Sequence, residues 1–193
     1  MKKIILFVLT LIPLYAAAQE QGIGLRFGEP FSVTFKTFLD DQISLEGMIG
    51  SAGPNSAQYY QRAFDRNRPS TNAFYVSHST SSSISVNFRS AYHEDFTSEL
   101  GIEQGYILGY AGAGLQLRSV NVDYTYTDTS ISQDLLRESR TNVDFGADLF
   151  GGAEYYFDSS PISVFAEVGL FLELLDSFGH IKFQGGIGVR YLF

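Results

Sequence analysis

The chain has 193 residues, enough for one domain of ordinary size, with 21 acidic against 13 basic residues and a formal net charge of −8. That balance argues against nucleic-acid binding, which draws on clustered positive charge. There is no cysteine, which excludes disulfides, thiolate metal sites, a thiol nucleophile and a lipidated cysteine.

The first residues read as an export signal. Lys2 and Lys3 precede an apolar core over residues 4–14, and Ala16-Ala17-Ala18 gives a small-residue cleavage motif before Gln19. The core is far shorter than the roughly 20 residues a membrane helix needs. A cleaved segment over 1–18 and one mature domain over 19–193 are expected, and cleavage removes two lysines but no acid.

Eight segments then alternate with period two, the mark of strands with unlike faces. The first sets Ile23, Leu25 and Phe27 against Gly24 and Arg26, and Glu29-Pro30 turns the chain. The second sets Phe31, Val33, Phe35 and Leu39 against Ser32, Thr34 and Lys36. After Asp40-Asp41-Gln42, the third opposes Ile43, Leu45 and Ile49 to Ser44 and Glu46. Residues 51–82 are rich in Gly, Pro, Asn, Ser and Arg and read as a polar loop. The fourth strand presents Ile84, Val86, Phe88 and Tyr92 opposite Ser85, Asn87, Arg89 and His93, and residues 94–104 connect it onward. The fifth opposes Ile107, Ala111, Leu115 and Leu117 to Tyr106, Tyr110, Gln116 and Arg118. It continues through Tyr126, beyond the roughly 9–11 residues that cross a bilayer, so its far end is expected to project. A second polar loop is expected over 127–142. The sixth strand sets Val143, Phe145, Ala147, Leu149, Ala153, Tyr155 and Phe157 against Asp144, Asp148 and Glu154. Residues 158–161 turn into the seventh, with Ile162, Val164, Ala166, Val168, Leu170, Leu172 and Leu174 opposite Ser163, Glu167 and Glu173. The last sets Ile181, Phe183, Ile187 and Val189 against Lys182, Gln184 and Arg190.

One face of each strand is nearly uncharged, with aliphatic residues in the middle and aromatics towards the ends. The other faces carry Arg26, Lys36, Arg89, Arg118, Lys182 and Arg190 against Glu46, Asp144, Asp148, Glu154, Glu167 and Glu173. Six charges of each sign suit the narrow interior of a small closed barrel, where an unpaired charge costs several kcal/mol. The uncharged faces then form a lipid-facing band with aromatic girdles. A soluble lipocalin-like barrel is the alternative, with apolar groups in its cavity and charges outside. With a periplasmic N-terminus, the two long polar segments both fall outside and most of the inner turns are short, the pattern of membrane barrels. The expected fold is all-β, a transmembrane antiparallel up-and-down barrel of eight strands.

The start GIGLRFGEPFSVTFKTFLDDQISLEG, the stretch PISVFAEVG with the turn Asp158-Ser159-Ser160 before it, and the end GGIGVRYLF resemble the small eight-stranded outer-membrane β-barrel proteins of Gram-negative bacteria. The resemblance extends over essentially the whole mature chain and is one of pattern more than of fixed motifs. It implies that Val189, Tyr191 and Phe193 are read by the barrel-assembly machinery. It implies no particular activity.

His78 and His180 fall in expected outer loops and His93 on an interior face. Ser77 and Ser79 flank His78, yet a serine-rich loop supplies such neighbours by chance, and no catalytic residue is assigned. No phosphate loop or metal-binding motif occurs, and no cofactor is expected. The interior of an eight-stranded barrel is about wide enough for side chains alone, which argues against a diffusion pore. A lipid-modifying enzyme or a narrow channel stands as the alternative to a structural or surface-interaction barrel. In the first long loop, Tyr59, Tyr60, Arg62, Phe64, Arg66 and Arg68 are types enriched in binding hot spots. The arginines could equally meet lipopolysaccharide phosphates, and the aromatics could extend the barrel wall. The expected partners are outer-membrane lipid and lipopolysaccharide, with no nucleic acid, and the protein is expected to be a monomer.

Overall fold

The computed structural model describes residues 21–175 and 177–193. The export segment expected over 1–18 and the start of the mature domain at Gln19 lie outside them. Among the described residues, eight antiparallel strands close into one barrel in chain order. They are β1 (Gln21–Glu29), β2 (Phe31–Phe38), β3 (Ile43–Ser51), β4 (Ala73–Asp95), β5 (Tyr106–Asp128), β6 (Ser132–Tyr156), β7 (Ile162–Glu173) and β8 (Ile181–Leu192). β1 and β8 close the ring in a register running from Gly22 opposite Leu192 to Glu29 opposite Gly185.

Alternation decides which side of the wall each residue takes. Ile23, Leu25, Val33, Val86, Phe88, Leu115, Leu149, Val164, Ile187 and Val189 point out of the barrel and are exposed. Arg26, Lys36, Glu46, Arg89, Arg118, Glu154, Glu167 and Arg190 point in and are buried. This inverts a soluble barrel and rules out the lipocalin-like arrangement, in which the apolar side lines the cavity.

The strands differ greatly in length, and the difference shapes one end of the barrel. β1 to β3 have 9, 8 and 9 residues, whereas β4, β5 and β6 have 23, 23 and 25. β3 stays paired with β4 only as far as Gly50 opposite Ser85, and β7 meets β6 only from Glu173 opposite Gly146. Beyond those points β4, β5 and β6 continue as a three-stranded ribbon, roughly 35 Å of strand above the rim. The expected loop over 127–142 is therefore mostly strand, turning at residues 129–131. Likewise β4 begins at Ala73, well before Ile84. Thr, Ser and Tyr along these stretches favour or tolerate an extended chain.

Along β5 the two faces exchange character at the rim. Gln116 and Arg118 face the lumen, but Val120, Val122, Tyr124 and Tyr126 on the same side are buried against apolar neighbours. On the other side Leu115 and Leu117 give way to Ser119, Asn121, Asp123 and Thr125. Below this point the outside is apolar, as lipid requires; above it the outside is polar, as water requires.

Helix α1 (Ala57–Arg66) lies within the first expected long loop. Ser56 caps it, its side chain accepting from Tyr59 N at 3.3 Å, and Ala, Gln and Arg favour helix along its length. Tyr59, Tyr60, Ala63 and Phe64 form a stripe at helical spacing that packs on the inner face of the ribbon. Tyr59, Tyr60 and Phe64 are thus buried rather than displayed, because their rings complete a small apolar core above the mouth.

Candidate functional site

The lumen is filled by side chains in layers. Nearest the end where β8 terminates, Glu154 accepts from Lys36 and Arg190, both at 2.7 Å, and from the Ser163 hydroxyl at 2.5 Å; Arg190 also reaches Glu46 at 2.5 Å. Above it, Glu167 holds Arg26 and Arg89, each at 2.7 Å, and Arg89 also binds Asp148 at 2.5 Å. Gln184, Gln116 and Ser85 then form an uncharged chain of hydrogen bonds, Gln184 donating to Gln116 at 2.9 Å and Gln116 to Ser85 at 3.0 Å. At the end that carries α1, Arg118 and Lys182 face Glu29, at 3.7 and 2.9 Å, and Asp144 lies 4.0 Å from Arg118. Of the twelve expected lumen residues, eleven are buried and Lys182 is half-buried.

Three inward phenylalanines occupy the remaining width. Arg190 stacks on Phe165 at 3.8 Å, Arg89 on Phe150 at 4.3 Å, and Arg118 lies 5.4 Å from Phe171. All three rings lie on bare backbone: Phe165 crosses Gly188, Phe150 crosses Gly112 and Phe171 crosses Gly146, where any side chain would collide with the ring. The void among Lys36, Glu46, His93, Tyr110 and Arg190 is only 10 Å3, about enough for one water.

The mouth on the ribbon side is closed by the segment leading into α1. Arg118 donates to Gly53 O at 2.6 Å and to Asn55 Oδ1 at 3.2 Å, and Lys182 donates to Gly53 O and Pro54 O, both at 2.9 Å. From α1, the Tyr59 hydroxyl donates to Asp144 at 2.7 Å and lies 3.1 Å from Glu173. Burial, reinforced by Asp144, raises the Tyr59 pKa. The lumen charges thus anchor the plug as well as one another.

The remaining expected residues scatter around this frame. Arg62, Arg66 and Arg68 are exposed on and after α1; Arg68 pairs with Asp65 at 2.7 Å, and Arg66 donates to Ser177 Oγ at 2.6 Å. Val189, Tyr191 and Phe193 project from the outer surface of the wall at the end where β8 terminates. His78 lies on β4 rather than in a loop, 2.6 Å from the Tyr75 hydroxyl and with its ring tilted against that of Tyr60, while Ser77 and Ser79 take the opposite face. His93 is in the lumen, 2.9 Å from Ser44 Oγ, and its Nδ1 has no hydrogen-bond partner to orient the ring. His180 packs on the Tyr59 ring at 4.8 Å. Among the described residues, no group of three or more His, Asp or Glu is placed to hold a metal ion.

Within the membrane-spanning ring no strand edge is left unpaired, the outer belt is apolar, and the charges are paired within. These features define an integral β-barrel of the bacterial outer membrane. The chain is similar in fold to the N-terminal β-barrel domain of Pseudomonas aeruginosa OprF, at 16% identity and a TM-score of 0.49, covering 91% of this chain and 96% of that one. It is similar also to a major outer membrane protein of Thermus thermophilus, at 12% identity and a TM-score of 0.49, covering 91% and 100%. Neisserial surface protein A matches at 14% identity and a TM-score of 0.40, covering 91% and 94%. No family model and no curated protein matches the chain.

Proposed function

We propose that the protein is a non-enzymatic, monomeric outer-membrane barrel that acts through its outward face, with the barrel serving as a rigid mount for α1 and the ribbon. The observation that carries this reading is the plug. The segment 53–59 is tied to Arg118, Lys182, Asp144 and Glu173 across the mouth, and charge pairs fill the lumen beneath it. A transport function would need that network broken in several layers, whereas recognition needs only the exposed surface. Arg62, Arg66 and Arg68 then supply polar contacts, and the buried aromatics hold the helix that displays them. Outer-membrane lipid and lipopolysaccharide surround the belt. Val189, Tyr191 and Phe193 serve as the strand that the assembly machinery reads.

The test is electrical. Barrels folded in detergent and shown intact by a mobility shift on boiling are added to planar bilayers. No conductance steps are expected; steady channels would replace this reading with that of a pore. The enzyme alternative rests on the Ser44–His93 hydrogen bond, and lipid hydrolysis or acyl transfer abolished by His93→Ala would establish it.

A further inference from the structure

Between α1 and the connection from β7 to β8, a cavity of about 660 Å3 opens at the outer rim. Its polar lining is mainly basic: Arg62 and Arg66 from α1 and His180 from the connection, with the Ser177 hydroxyl beside Arg66. Among the described residues the acid in the lining is Asp65, which is engaged by Arg68 through Nε at 3.1 Å and Nη2 at 2.7 Å. The local field agrees with this inventory. The His180 pKa is lowered first by burial and next by Arg62, with Arg118 and Lys182 acting in the same sense and Asp144 opposing them. An oxyanion would relieve that repulsion and accept charge-assisted hydrogen bonds from both guanidinium groups.

The rim of the cavity is apolar on its membrane side. Phe178 is 83% exposed, Leu175 and Ile181 are also exposed, and Phe183, two residues below Ile181 on the same outward face, is 81% exposed. A basic pocket therefore continues directly into an apolar track that descends the barrel wall. A soluble anion would use the first feature and leave the second without a role; a lipid uses both.

We infer that this cavity seats the phosphate of an outer-leaflet lipid, with Arg62, Arg66, Ser177 and His180 on the headgroup and the acyl chains lying along Phe178, Ile181 and Phe183. The inference rests on the outward orientation adopted above and names one ligand class for that face.

The test uses the full barrel folded in detergent and titrated with purified lipopolysaccharide, the same material dephosphorylated, and inorganic phosphate. Arg62→Gln with Arg66→Gln is compared with Arg137→Gln, which removes an exposed charge from the ribbon. Retention of the boiling-dependent gel shift shows that each variant folds. The paired change is expected to weaken lipopolysaccharide binding by at least roughly tenfold, with Arg137→Gln close to wild type. Dephosphorylation should cause a comparable loss. Equal weakening by Arg137→Gln, or undiminished binding of the dephosphorylated lipid, would overturn the site. Arg66-dependent binding of inorganic phosphate as tight as that of the lipid would reassign it to soluble oxyanions. Labelling of Asn67→Cys in intact cells reports orientation independently, so an inverted barrel and a wrong ligand give different results.

Discussion

A lumen arginine has two demands that water would otherwise satisfy. Arg89 and Arg190 meet both fully: the edge hydrogen-bonds carboxylates and the face lies on a phenylalanine, Arg190 between Glu46, Glu154 and Phe165, and Arg89 between Asp148, Glu167 and Phe150. Removing one partner strands the others in a dry interior. Arg190→Met leaves Glu46 and Glu154 short of a cation and is expected to cost about 3–5 kcal/mol in urea unfolding of the micelle-bound barrel. A loss below about 1 kcal/mol would mean that these charges are solvated. At the mouth, His180 is held below its ordinary value of 6.5, first by burial and then by Arg62. A depressed histidine favours the neutral form in the folded state, so its contribution is complete above 6.5 and is lost as pH falls through the lowered value. In an NMR pH titration, His180 should titrate below the normal imidazole range and recover towards it in Arg62→Gln. The lumen charges were legible in the sequence because parity alone assigns them a side. Their partners were not: Glu29 reads as a turn residue, yet it faces Arg118 and Lys182. Phe165 and Phe171 share the parity of Glu167 and Glu173, the signal that places them inside.

At the level of elements, the ribbon and α1 show where period-two reading succeeds and where it stops. The exchange of faces along β5, from Leu115 and Leu117 to Ser119 and Asn121 outside, is written in the sequence and marks the rim. It sets a depth scale. Ala113→Arg, on the lipid face near mid-strand, is expected to cost about 2–4 kcal/mol. Thr125→Arg, above the rim, should cost about 1 kcal/mol or less. Equal costs in the same unfolding experiment would displace the boundary. α1 escaped the alternation search because its signal has the helical period, with Tyr60 and Phe64 four apart after a capping Ser56. The glycine, proline and serine flanking it are what a loop would also contain, so only the i, i+4 spacing separates the two.

The whole molecule joins two solutions of the hydrophobic problem on one continuous sheet. In the membrane it is apolar outside and charged within; above the rim the outer face of β5 is polar, beside exposed Phe74, Val76 and Leu135 on the neighbouring strands, and aromatic side chains gather around α1 on the inner face. Each half needs the other, since Asp144 and Glu173 in the barrel hold Tyr59 of the helix while the helix closes the mouth above them. Strand number, closure and the sense of the wall follow from the alternation, but the plug depends on contacts between residues such as Tyr59 and Glu173, 114 apart in the chain, which no local pattern specifies. The central claim is that this plugged end faces outward. Because the chain has no native cysteine, single-cysteine variants give an unambiguous readout. With a membrane-impermeant maleimide on intact cells, Asn67→Cys beside α1 should be labelled at once, and Asp41→Cys in the β2–β3 turn only after the outer membrane is permeabilised. Labelling of Asp41→Cys in intact cells, with Asn67→Cys protected, would contradict the account.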